Sequence, residues 1–137
     1  MAETMQFDLV SPERMLASVA VSAVQVPGAE GDFTAMPGHA PMLSTLRPGL
    51  VKAATGSGEM AYVVTGGFAE VTAEAVSLLA ERSIPQAEMT QAMLDTLVAE
   101  TRAERDAAEG DAADAAGRRL SDLAVLGQQL GLSVSAG

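Results

Sequence analysis

The 137-residue chain has no cysteine and no tryptophan, one tyrosine, three phenylalanines and one histidine, His39. Without cysteine there is no disulfide, no thiolate metal site and no thiol nucleophile. A zinc ion would be left with one imidazole and carboxylates, so no metal is expected. His39 has no second imidazole to share proton transfer, and a triad would have to recruit Ser44 or Thr45 and an acid by chance proximity. Its ring, in the turn-forming PGHAP, is expected to hydrogen-bond a loop or a partner backbone, and no catalytic residue is assigned. Basic groups are scarce, 8 against 18 acidic, for a net charge of −10. That balance argues against nucleic acid and anionic lipid, both of which call for basic patches. No stretch reaches the ~18 apolar residues of a membrane span. The acidic start MAETMQFD lacks the cationic segment of a secretory signal. The pair Gly66-Gly67 has neither phosphate-loop spacing, and a bulge or a close backbone approach is the expected reason for it.

What is present is an apolar fraction of 48 %, supplied mainly by Ala, Val, Leu and Met. Met5, Phe7 and Leu9 alternate with polar neighbours, the period of a half-buried strand. Met15 to Val26 is one long Ala/Val-rich stretch with β-branched residues at alternate positions. Residues 49–54 and 59–65 flank the hairpin loop Thr55-Gly56-Ser57-Gly58. Residues 68–72 and 75–80 complete a series of short strands that reads as a β-sandwich or barrel.

The pattern changes at Ser83-Ile84-Pro85. Beyond it Ala, Glu, Asp and Arg dominate, mostly good helix formers. Met89, Met93 and Leu97, with Leu94 and Val98, trace one face of a helix running to about Ala108. Gly110 reads as its terminator and Asp111 as the N-cap of a second helix over residues 112–130. The second helix carries Ala116, Leu120, Leu123, Leu126 and Leu130, and is weakened by Gly117 and Gly127. Gly131 onward reads as a frayed end. The expected architecture is mainly β plus α: an N-terminal β-sandwich, residues 1–85, followed by a C-terminal antiparallel two-helix hairpin, residues 86–137. Helices of this length are marginal alone, so the hairpin's apolar stripe must rest on the sandwich or on another protein.

The densest punctuation lies between Val26 and Gly49, which holds four of the six prolines and four of the thirteen glycines. Phe33, Met36, Met42, Leu43 and Leu46 run through it as apolar pegs. It therefore reads as ordered surface loops rather than a linker, the usual place for binding. Glu30 and Asp32 flank Gly31 at a loop tip and are expected to be solvated or to face a partner. The helix arginines Arg102, Arg105, Arg118 and Arg119 could meet acidic partners or simply solvate a face. An interaction protein is favoured over a small enzyme or ligand-binding sandwich.

VPGAEGDFTAMPGHAPML, followed by LRPGLV, GGFAEV and VSLLAER, resembles the epsilon-subunit family of bacterial F-type ATP synthases, in order over residues 7–82. The resemblance implies a non-catalytic rotor subunit of the central stalk. It would join the gamma subunit to the c-ring and couple proton flow to ATP synthesis. It would be a peripheral protein on the cytoplasmic side of the bacterial inner membrane, without inserting into it. By the same resemblance Gly28, Ala29, Glu30, Gly31 and Asp32 face the c-ring, and His39, Ala40, Pro41, Met42 and Ser44 lie against gamma. Arg118 and Arg119 are the candidates for contact with the alpha/beta catalytic head. Relatives that bind ATP use an I/L-D-x-x-R-A motif at the start of the first helix. Here its Asp and Arg are replaced by Thr90 and Met93, so no cofactor is expected. The hairpin is then a weak regulator of ATP hydrolysis; the alternative is a constitutive inhibitor with an extended hairpin. Outside the family the alternative is a sandwich adaptor of unknown partner.

Overall fold

The alternation in the first strand continues across its neighbours and builds one face of a sandwich. In the computed structural model, which describes residues 3–134, β1 (Met5–Val10) buries Met5, Phe7 and Leu9. It pairs antiparallel with β2 (Met15–Val21) and parallel with β9 (Ala75–Ala80). Next to β9 come β8 (Gly67–Val71) and then β5 (Met42–Leu46), which forms the sheet's edge. The second sheet runs β10 (Ser83–Pro85), β7 (Gly58–Val64), β6 (Gly49–Thr55), β3 (Ala23–Val26), β4 (Phe33–Ala35). Between the sheets lies a core of Phe7, Leu9, Val21, Val24, Val26, Val51, Val64, Val76 and Leu78, built almost entirely from aliphatic side chains. Phe7 is its one fully buried aromatic residue.

Three parts of the sandwich differ from the sequence reading. The stretch 15–26 is two strands in different sheets. Val19 and Val21 sit on odd positions and Val24 and Val26 on even ones, so the inward face changes phase at Ser22. The Ser22 N–H already bonds Ala54 O of the second sheet at 2.9 Å. Residues 33–35 and 42–46, read as loops, are short strands, because Phe33 to Ala35 pairs with β3 and Met42 to Leu46 with β8. Ser83-Ile84-Pro85, read as the end of the strand pattern, pairs with β7 at a sheet edge, where a residue without an N–H is tolerated. The Gly66-Gly67 pair makes no bulge, since Gly67 pairs in register with Leu46 and Ala80. It marks a close backbone approach instead: a Cβ on Gly67 would lie 1.9 Å from Leu79 O, at φ +126°.

A second compact unit begins at Ala87. A 3-10 turn (Gln86–Glu88) leads to α1 (Gln91–Ala107). Thr90 caps α1, its Oγ1 accepting from Met93 N–H at 3.2 Å. The buried face of α1 is Leu94, Leu97 and Val98; Met93 is 41 % exposed, off the stripe the spacing suggested. The helix α2 (Asp111–Leu130) buries Ala116, Leu123, Leu126 and Gly127, with Leu120 and Leu130 half-buried. Its N-cap is Gly110, at φ 61°, not Asp111; Asp111 and Asp114 instead sit in the first turn, where the helix dipole favours negative charge. Gly110 thus opens α2 rather than ending α1, which stops at Ala107.

The end of α2 is not frayed as far as Val134. Gly131 adopts the left-handed conformation, and Leu132 N–H returns to Gly127 O at 2.8 Å. The Gln91 amide then clasps the backbone of Ser133 both ways. Nε2–H donates to Ser133 O at 2.7 Å and Oε1 accepts from Ser133 N–H at 2.9 Å. The remaining terminal residues, part of the expected frayed end, lie outside the described residues. Gly127 lets the helices close, because a Cβ there would lie 3.0 Å from Val134 Cγ2 and 3.3 Å from Leu94 Cδ2. An exposed hydrogen bond contributes about 0.5–1.5 kcal/mol. Gln91→Ala is therefore expected to speed amide exchange at Ser133 about tenfold or more while Leu97 changes little, read by hydrogen-exchange NMR.

Candidate functional site

The chain leaves β3 at Val26, makes one tight loop and returns as β4. Several bonds lock that loop. Gly31 N–H bonds Gly28 O at 3.1 Å, Ala29 N–H bonds Thr45 O at 2.8 Å, and Arg47 N–H bonds Pro27 O at 3.0 Å. Gly28 is buried and bridges to Leu46 at the end of β5. Its lack of a side chain is required: a Cβ would meet Gly31 O at 2.5 Å and the Phe33 ring at 3.2 Å. Ala29, Glu30, Gly31 and Asp32 form the exposed tip. The Arg47 side chain lies along the loop's base. Its Nε–H donates to Gly28 O at 3.0 Å and its Nη2 pairs with the Asp32 carboxylate.

The second segment is locked in the same manner. Gly38, at φ 84°, donates its N–H to Ala73 O at 2.9 Å, and His39 N–H donates to Met36 O at 3.0 Å. His39 Nδ1 lies 2.7 Å from Ala40 O. A carbonyl can only accept, so the proton sits on Nδ1. The bond is to the loop's own backbone, one of the two roles the sequence allowed. The His39 ring lies 6.4 Å from that of Phe33, centroid to centroid and tilted 42°. Phe33, next to the expected ring-facing segment, thus lies near His39 of the expected gamma-facing one.

Beyond Pro41 the chain enters β5. Strand alternation turns Met42 and Ser44 toward the sandwich, half-buried, with Met42 packed on the core. It turns Leu43, 71 % exposed, and Thr45 outward. Thr45 begins a row across the outer face of its sheet, register by register: Thr45, Phe68, Leu79, Val10, Met15. Phe68, Leu79 and Met15 are each more than half exposed, at 54 %, 58 % and 59 %. They form an apolar row on the outside of the sheet, where polar residues are the rule. The next row, Leu43, Glu70, Ser77, Asp8, Ser18, is largely polar. In it, hydrogen bonds from Gln6 and Ser18 hold the Asp8 carboxyl below its ordinary pKa.

Sequence reasoning named Met42 and Ser44 on β5 but passed over Leu43, Phe68, Leu79 and Arg47 as site residues. A signal was available for two of them. Met42-Leu43 and Leu78-Leu79 are adjacent apolar pairs inside alternating strands, and one member of each must face out. In the helical unit Arg119 pairs with Glu104 of α1, which commits that guanidinium, whereas Arg118 is exposed. Thr90 and Met93 are the two ends of the α1 N-cap bond.

The architecture is that of a β-sandwich with two backbone-locked loops and an exposed apolar row, followed by a two-helix hairpin. The family model described as the ATP synthase Delta/Epsilon chain beta-sandwich domain matches residues 4–86. The chain is 55 % identical over 137 aligned residues to the ATP synthase epsilon chain of Ruegeria sp. (strain TM1040), covering 96 % of this chain and 100 % of that one. It is 54 % identical over 132 residues to the epsilon chain of Rhodobacter capsulatus, with the same coverage, 96 % and 100 %. In fold it is similar to a chain of the Euglena gracilis mitochondrial ATP synthase OSCP/F1/c-ring structure, with a TM-score of 0.72 at 22 % identity over 93 % of this chain and 81 % of that one. The chain belongs to the epsilon-chain family of ATP synthase.

Proposed function

We propose that the sandwich is the rotor link of a bacterial ATP synthase, seating the gamma subunit on one surface and the c-ring on another. The support is the pairing of two surfaces of different chemistry on one rigid frame. The loop Gly28, Ala29, Glu30, Gly31, Asp32 is short, acidic and locked, suited to the polar loops of a ring. His39, Ala40, Pro41, Met42 and Ser44 adjoin Leu43 and the exposed row of Phe68, Leu79 and Met15, suited to the broader apolar contact of a shaft. Torque passes between the two contacts through loops whose shape is set by turn hydrogen bonds and by the Arg47 side chain. The complex holds the chain at the cytoplasmic face of the inner membrane. No helix among the described residues is long and apolar enough to cross it.

The hairpin is read as a weak regulator kept mostly closed. Closure is favoured near its turn by Glu104–Arg119 and at its open end by the Gln91–Ser133 clasp. Thr90 and Met93 stand where ATP-binding relatives carry Asp and Arg, so ATP is not assigned to this unit, and Arg118 and Arg119 are the candidates for the catalytic head, Arg118 being the more exposed. Deleting residues 88–137 is expected to leave assembly and proton-driven synthesis within about twofold of wild type, with a similarly small rise in ATP hydrolysis. Both are measured in inverted membrane vesicles. A large release of hydrolysis would favour the constitutive brake.

A further inference from the structure

Glu30 and Asp32 are alike in charge and two residues apart, yet the structure gives them different work. Asp32 is tied to Arg47. No ion pair holds Glu30 among the described residues. Arg47 stands where β5 of one sheet turns into β6 of the other, its own side chain only 26 % exposed. It holds the loop at three points: Pro27 O through its backbone N–H, Gly28 O through Nε, and Asp32 through Nη2. A guanidinium suits this because its planar fork donates in fixed directions to a carbonyl and a carboxylate together.

We propose that Arg47 is the positioning residue of the acidic loop, fixing its base at Gly28 O and directing the Asp32 carboxylate, which stays 68 % exposed at the tip beside Glu30. This rests on the reading that the loop meets the c-ring, and it makes that reading more specific. The loop belongs to the second sheet through β3 and β4, while Leu46 ends β5 of the first and Arg47 follows it directly. A load on the tip is therefore delivered to both sheets at once through Arg47. One backbone bridge, Gly28 to Leu46, reinforces the same junction. This arrangement also predicts how substitutions behave. Removing Asp32 or Arg47 loosens the loop, and removing Glu30 leaves the loop intact but blunts its surface.

The test has two readouts on the same variants. Amide exchange of Ala29 and Gly31 is followed in the full chain, and proton-coupled ATP synthesis in the assembled enzyme. Arg47→Gln is expected to speed exchange at both amides about tenfold or more, with Leu78 unchanged, and to lower synthesis severalfold. Arg47→Lys keeps the charge opposite Asp32 and is expected to recover most of the synthesis while protecting the loop only partly. Asp32→Asn and Arg47→Gln together are expected to loosen the loop little more than either alone, because they remove one shared interaction. Glu30→Lys is expected to lower synthesis with loop exchange unchanged. Unchanged exchange in Arg47→Gln overturns the proposal. Should Glu30→Lys synthesise normally while Arg47→Gln still frees the loop, the assignment of this loop to the ring fails and the positioning role of Arg47 stands. If Arg47→Gln also speeds Leu78, the fold as a whole has weakened, and Arg47→Lys alone decides: a loosened loop over a protected Leu78 supports the proposal, and a fully protected loop overturns it.

Discussion

Gly67→Ala is expected to destabilise the sandwich by about 3–5 kcal/mol, through backbone strain together with overpacking. Gly67 opens β8 at φ +126°, and the added methyl would fall 1.9 Å from Leu79 O, a backbone atom held in the middle of the sheet. Neither partner can rotate away. The pairings on both sides, to Leu46 and to Ala80, would have to shift as well. In a unit of this size each kcal/mol moves the midpoint by about 4–8 °C, so thermal melting of the isolated chain should fall by about 15 °C or more. A melting point within a few degrees of wild type would mean that the sheet can slide at this corner. The rigidity assigned to the frame would then be absent.

Gly28→Ala is expected to show the opposite balance, a small change in stability and a large one in function. The new Cβ would press on Gly31 O at 2.5 Å and on the Phe33 ring at 3.2 Å. The turn closed by Gly31 N–H would have to open, which costs roughly 1 kcal/mol. That strain is local, because the loop tip is exposed and the core beneath it is complete. Melting should drop by only several degrees, while coupled synthesis should fall about tenfold, the consequence of ~1.4 kcal/mol lost in docking. Phe33 lies near His39, so one methyl group at Gly28 bears on both segments. Normal synthesis in a variant whose loop has demonstrably moved would separate the loop from the mechanism.

The sandwich and hairpin were legible because their apolar periods, two and then about 3.6, are written plainly on either side of Pro85. The sequence reading lost detail where the local pattern serves a distant partner. Ser22 moves the chain from one sheet to the other, and its only mark is a change from odd to even in the valine positions. The strands at 33–35 and 42–46 are too short and too interrupted by Gly and Pro to announce themselves, and exist because β3 and β8 lie alongside. Arg47 was visible as part of an LRPG turn, but its reach back to Gly28 and Asp32 depends on two sheets meeting there. The exposed row of Thr45, Phe68, Leu79, Val10 and Met15 comes from five strands distant in sequence. The clasp of Gln91 on Ser133 joins the two ends of the helical unit, so no window of sequence contains it.

The central claim is that two neighbouring locked segments of one sandwich meet two different partners. The chain has no cysteine, so a single introduced thiol is unique in it. Ala29 and Ala40 are both exposed and small, one in each segment. Ala29→Cys and Ala40→Cys, each carrying a short photoreactive crosslinker in the assembled ATP synthase, should give distinct products: Ala29→Cys joined to subunit c and Ala40→Cys joined to gamma. Both positions crosslinking to the same partner, or neither reaching gamma or the ring, would contradict the account.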